Sequence, residues 1–76
     1  MKAYVLLSLV PGLEEKTLSQ IGLIPGVIEV NPVFGHWDTI VIVEADTLDA
    51  VSRLVVRQIR GIQGVQATET LVAGQV

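Results

Sequence analysis

The chain has 76 residues, five basic against eight acidic, for a net charge of −3; half of it is apolar and it has no cysteine. That length holds one domain, and the missing cysteines exclude disulfide staples and thiolate metal sites. The acidic balance argues against a nucleic-acid module, and the apolar excess in so small a globule argues for a second subunit to cover it.

The first element is a strand over Lys2–Leu9. Met1-Lys2 followed by AYVLLSLV imitates a signal peptide, but PGLEEK stands where a small-residue cleavage site would be, so a strand accounts for the run better. No segment approaches the ~20 apolar residues of a membrane span, and the expected location is cytoplasmic. Val10-Pro11-Gly12 closes the strand and opens a helix whose first turn carries Glu14 and Glu15, where the helix dipole favours acids. Leu18 and Ile21 mark its inner face. Ile24-Pro25-Gly26 is a tight turn into a second strand over 27–34; Pro32 lacks an N–H and belongs at an edge, a bulge or the fraying end.

Gly35-His36-Trp37-Asp38 is the turn region of a hairpin, and a third strand comes next over 39–45. Asp46 is expected to cap a second helix, with Asp49 in a capping-box-like position three residues on. Leu48, Val51, Val55, Ile59 and Ile62 form its apolar stripe. Arg53, Arg57 and Arg60 would share its solvated face near the C-terminus, where cations complement the dipole. The last strand is expected over 64–73, with a tail, Gly74-Gln75-Val76, after it.

Residues 24–34, IPGVIEVNPVF, return thirty-eight positions later as residues 62–72, IQGVQATETLV. In both halves an apolar run and a helical stretch precede this segment. Two β-α-β copies make an α+β, ferredoxin-like β-α-β-β-α-β domain: a four-stranded antiparallel sheet with two helices on one face. Tyr4-Val5-Leu6-Leu7 and Ile40-Val41-Ile42-Val43 are apolar at consecutive positions. A sheet face that meets water alternates apolar with polar residues. The face opposite the helices is therefore expected to pack on the same face of another copy, as a sheet-to-sheet homodimer.

The catalytic inventory is thin. His36 is the one histidine, and none of Ser8, Ser19 and Ser52 falls in a nucleophile elbow. Glu14 and Glu15 are adjacent and diverge on a helix. No glycine-rich loop leads into a Lys-Ser/Thr pair. His36, Asp38 and Glu69 are too scattered for a metal site, and the aromatics Tyr4, Phe34 and Trp37 are not interleaved with Lys or Arg as base stacking on a sheet requires. The chain is expected to have no catalytic residue, metal or cofactor.

The densest polar-aromatic cluster is Gly35-His36-Trp37-Asp38-Thr39. It reads either as a plain hairpin loop, with Gly35 at positive φ and Asp38 bonding neighbouring amides, or as a ligand loop whose free amides meet an anion while Asp38 meets a cation. Thr68 and Thr70 share one face of the last strand and offer hydroxyls.

Ile24-Pro25-Gly26-Val27, then Gly35-His36-Trp37-Asp38, then Gly64-Val65 leading to Thr68 and Thr70, resembles the effector (RAM) domain of Lrp/AsnC regulators, over about residues 3–73. The resemblance implies sheet-to-sheet dimers, a larger ring of dimers, and an amino-acid effector bound between dimers. It implies that amides around 35–39 hold the ligand carboxylate, with Asp38, Thr68 and Thr70 on the amino group or side chain. Trp37 stands where the family has tyrosine or phenylalanine. The helix-turn-helix domain that precedes this module in full-length members has no counterpart here, so 1–76 is expected to be a single stand-alone RAM domain. It would reach DNA through a full-length Lrp/AsnC partner and not directly. Three rival classes share the topology: a dimeric α/β-barrel enzyme using His36, with its pocket inside one subunit; an ACT-like regulatory subunit; and a structural assembly unit without ligand.

Overall fold

The structure is a computed structural model that describes residues 1–73. Strands β1 (Lys2–Leu9), β2 (Val27–Pro32), β3 (Thr39–Glu44) and β4 (Val65–Val72) form one sheet in the spatial order β2-β3-β1-β4, every neighbouring pair antiparallel. Helix α1 (Glu14–Gly22) links β1 to β2. Helix α2 (Leu48–Arg53), continued by a π-helical turn over Leu54–Ile59, links β3 to β4. The β-α-β-β-α-β plan stands as the sequence implies it. The expected tail at 74–76 lies outside the described residues.

The repeat is a repeat of hydrogen bonds. In the first half the Val27 N–H donates to the Ile24 carbonyl (3.1 Å) and the Glu44 N–H to the Gly26 carbonyl (2.8 Å). In the second half Val65 donates to Ile62 (3.2 Å) and Val10 to Gly64 (2.8 Å). Gly26 and Gly64 sit at φ +98° and +106°, the left-handed third position of a turn that ends each helix and starts each outer strand. Both glycines are also hemmed in. A Cβ on Gly26 would come within 2.7 Å of Leu54 Cδ1, and one on Gly64 would collide with Thr17 Oγ1.

Strand periodicity sorts the two faces. Ala3, Val5, Leu7 and Leu9 of β1 and Val41 and Val43 of β3 are buried under the helices, against Ile21, Val51, Val55 and Ile59. Tyr4, Leu6, Ile40 and Ile42 alternate with them and stand on the opposite face, only half-buried in one protomer. The consecutive apolar runs thus supply one core and one open apolar face. Pro32 is the last residue of the edge strand β2, which ends there and not at 34, because β3 pairs with it only as far as Thr39.

Two helix details differ from expectation. Thr47, not Asp46, is the N-cap of α2: its Oγ1 accepts the Ala50 N–H at 3.0 Å, three residues on, and Asp49 lies one residue short of the capping-box position. The second helix also does not stay α. The Arg60 N–H reaches back five residues to the Val55 carbonyl (2.9 Å). A π turn carries one more residue per hydrogen-bonded ring, which rotates the residues downstream of it by up to about 100°, one residue's worth of an α turn.

Candidate functional site

The β2–β3 loop is bent tightly back on β1. The Val33 N–H donates to the Asp38 carbonyl (2.9 Å) and the Asp38 N–H to the Leu7 carbonyl (2.8 Å). Asp38 Oδ2 accepts the partly buried Leu9 N–H at 2.8 Å. Leu9 lies where the β1–β4 register slips, between Ser8 and Leu9, so the carboxylate supplies a partner at a break in the ladder. The Asp38 backbone and side chain together hold the loop to the end of β1.

The rest of the loop is open. His36 and Trp37 meet edge to face with centroids 5.4 Å apart and planes at 88°. Phe34 is fully exposed. Among the described residues, no intramolecular hydrogen bond uses the N–H of Phe34, Gly35, His36 or Trp37. That leaves a short run of donors free for an anion. Gly35 does not carry the role expected of it: its φ is not in the left-handed region, and a Cβ there would meet nothing within 4 Å.

Thr39, the first residue of β3, is fully buried and its Oγ1 has no partner among the described residues. Thr39 and Thr68 both pair with Leu7, one from each side. They share the helix-facing side of the sheet but stand two strand spacings apart, roughly 10 Å, and Thr70 lies one step further along β4. Within one protomer, therefore, Gly35–Thr39 and Thr68/Thr70 are two places and not one.

Thr68 and Thr70 line a groove of about 340 Å³ between β4 and the α2–π segment. Val72 continues its strand wall, and Leu48, Val56 and Arg60 form the helical wall. Arg60, which follows the π turn, is on this groove. Arg53 and Arg57 face a different cleft, beside Pro25, so the three arginines do not share the single face that α periodicity implies. Arg53 pairs with Asp49 at 3.3 Å, an exposed i,i+4 contact worth little on its own. His36 is not on the groove, so a cleft inside one subunit exists without the acid-base residue that the barrel-enzyme reading needs. Among the described residues, no group of three or more His, Cys, Asp or Glu side chains could hold a metal, and no helix is long and apolar enough to cross a membrane.

Residues 2–75 match the model of the Lrp/AsnC ligand binding domain. The chain is 40% identical over 74 residues to an uncharacterized HTH-type transcriptional regulator of Pyrococcus furiosus, spanning 93% of this chain and 49% of that protein. It thus covers about half the length of this relative. A hypothetical protein from Pyrococcus horikoshii superposes with a TM-score of 0.87 at 31% identity, over 99% of this chain and 90% of that one. The transcriptional regulator NMB0573 of Neisseria meningitidis, solved as an L-Met complex, shares the fold at a TM-score of 0.87 and 18% identity, over 99% of this chain and 51% of its own. The chain belongs to the Lrp/AsnC family, as its ligand-binding domain.

Proposed function

We infer that this domain is a non-enzymatic amino-acid sensor that oligomerises and adjusts transcription through a partner carrying the DNA-binding half. The observation that carries the ligand is the loop at 34–38. Among the described residues four consecutive N–H groups lack internal partners, beside a carboxylate that spends one oxygen on Leu9 and keeps the other. An amino acid needs both ends satisfied, since each unpaired polar group in a desolvated cleft costs on the order of 1–3 kcal/mol. Amides for the carboxylate and Asp38 Oδ1 for the ammonium meet that need. The loop is too open in one protomer to desolvate a ligand, so the site sits at a subunit boundary, where Gly35, His36, Trp37, Asp38 and Thr39 of one copy are closed over by another. Thr68 and Thr70 contribute only across such a boundary. The L-Met bound by the Neisseria regulator supports the ligand class.

The half-buried open face of Tyr4, Leu6, Ile40 and Ile42 supports a sheet-to-sheet dimer, and larger rings would assemble from dimers. A net charge of −3 supports indirect rather than direct DNA contact. The test is a thermal-shift screen of the twenty amino acids with native mass measurement. Ligand at a hundred-fold excess over its Kd stabilises by about 2.7 kcal/mol, which the screen detects. A strictly monomeric protein that no amino acid stabilises would defeat this reading.

A further inference from the structure

The groove between β4 and the α2–π segment has a chemistry unlike that of the loop, and the geometry points to a second ligand site there: it binds a small aliphatic monocarboxylate that carries no ammonium group. The cavity, about 340 Å³, is at the lower end of what small-molecule pockets occupy, roughly 300–1,000 Å³. Its size suits a short-chain acid rather than a peptide or a nucleotide.

Its polar side chains are one cation and three hydroxyls. Arg60 supplies a permanent guanidinium, which takes a carboxylate through two parallel N–H donors. Thr68, Thr70 and Ser52 add hydroxyls. Among the described residues, no acidic side chain lines the groove, and Arg60 takes part in no ion pair. The remaining walls are aliphatic. Leu48 and Val56, each more than half exposed on the helical side, face a cleft whose other wall ends in Val72. A branched hydrocarbon tail would cover them.

An α-amino acid fits this arrangement badly. Its carboxylate could reach Arg60, but its ammonium would lie beside the same cation with no acidic side chain lining the groove to meet it, a partly desolvated charge without a counter-charge. The groove thus discriminates by what it lacks. The loop at 34–38, with its amides and its carboxylate, has the opposite preference.

The π turn favours the site. In a continuous α-helix Arg60 would lie between the row of Arg53 and Arg57 and that of Ser52 and Val56; the π turn rotates it toward the latter, onto the groove. Such turns are rare and frequently mark functional positions. Here the turn sets one cation against the threonine face of an edge strand.

The experiment is a backbone-amide NMR titration of the whole chain with isocaproate, and separately with leucine, which has the same carbon skeleton plus the ammonium. Isocaproate is expected to bind saturably, moving amides at 48–60 and 68–72 and leaving 34–38 in place. Leucine is expected to act on the helical-wall amides at 48–60 at least ten-fold more weakly, whereas shifts at 68–70 together with 34–38 report the boundary site to which Thr68 and Thr70 of a neighbouring copy contribute. Arg60→Gln should lower isocaproate affinity ten-fold or more, and Thr68→Val, which preserves volume, should lower it several-fold; both substitutions should leave the melting temperature near that of the parent. The proposal is overturned by no saturable isocaproate shifts in the groove, by leucine matching isocaproate at 48–60, or by an affinity indifferent to Arg60→Gln. Leucine shifts at 34–38 and 68–70, with amides at 48–60 silent to both leucine and isocaproate, would defeat this site while leaving the amino-acid reading intact.

Discussion

Asp38 Oδ2 holds the Leu9 N–H at 2.8 Å, tying the β2–β3 loop to the point where β1 slips register against β4. One residue thereby serves two ends. One carboxylate oxygen closes the fold, and the other has no hydrogen-bond partner among the described residues.

Asp38→Ala is therefore expected to lower stability by about 1–3 kcal/mol, the range for leaving a partly buried amide without its charged acceptor. Asp38→Asn keeps an acceptor oxygen and should recover much of that loss. Denaturant unfolding of both variants without ligand checks this. Equal stability in Asp38→Ala and the parent would show that the contact carries no weight. If Asp38 also meets a ligand ammonium, amino-acid affinity should fall about ten-fold in Asp38→Asn, whose fold is largely kept.

The glycines of the loop and of the repeated turn should behave in opposite ways. Gly35→Ala is expected to stay within about 0.5 kcal/mol of the parent, because the backbone is not left-handed and a Cβ meets nothing within 4 Å. Gly64→Ala meets both obstacles: φ of +106° and the Thr17 hydroxyl, which donates to the Gln63 carbonyl at 3.0 Å. Backbone strain alone costs of the order of 1–3 kcal/mol, and the collision adds to it. Thr17→Ala should relieve part of the Gly64→Ala penalty in a double-mutant cycle. Additive losses would show that the collision is relieved by other means.

Thr39→Val tests whether the buried hydroxyl is a cost or a site. Its Oγ1 is without a partner among the described residues, and replacing an unsatisfied buried polar group by an apolar one of the same shape is neutral or stabilising. A gain of up to about 1 kcal/mol is expected in thermal unfolding. A loss above that would mean the hydroxyl is engaged, for instance by a bound water.

Most of the fold was legible in the chain because its signals are local. The turn Ile24-x-Gly26-Val27 and its copy at 62–65 fix where both helices stop, and consecutive apolar residues in β1 and β3 mark strands that are apolar on both faces. The illegible part depends on three-dimensional choices between near-equal options. Asp46 and Thr47 are both good caps, and the neighbouring backbone chose Thr47. The run Leu54–Ile59 suits α and π turns alike, since Val51, Val55 and Ile59 recur at i+4 in either. That ambiguity hid the turning of Arg60 toward β4. The motif at 35–38 singles out the loop, but its glycine proved conformationally undemanding and its aspartate structural as well as exposed. The groove had no signature, because its walls come from α2, the π turn and β4 at once.

The alternation in β3 separates two substitutions that the sequence leaves equivalent. Val41 is fully buried and pairs with Val5 beneath the helices, whereas Ile42 faces away from them beside Tyr4. Lysine at Val41 would put an uncompensated charge into the core, where the penalty is several kcal/mol, comparable with the whole stability of a small domain. Val41→Lys should be unfolded by circular dichroism at any concentration. Lysine at Ile42 leaves the charge in water so long as the protein is a monomer, and becomes costly only when a second sheet covers it. Ile42→Lys should therefore keep strand and helix signals while native mass spectrometry shows monomer where the parent shows dimer or larger. If Ile42→Lys retained the parent's assembly and melting temperature, the open face of Tyr4, Leu6, Ile40 and Ile42 would not be the interface, and the covering subunit would have to be sought on the helical side.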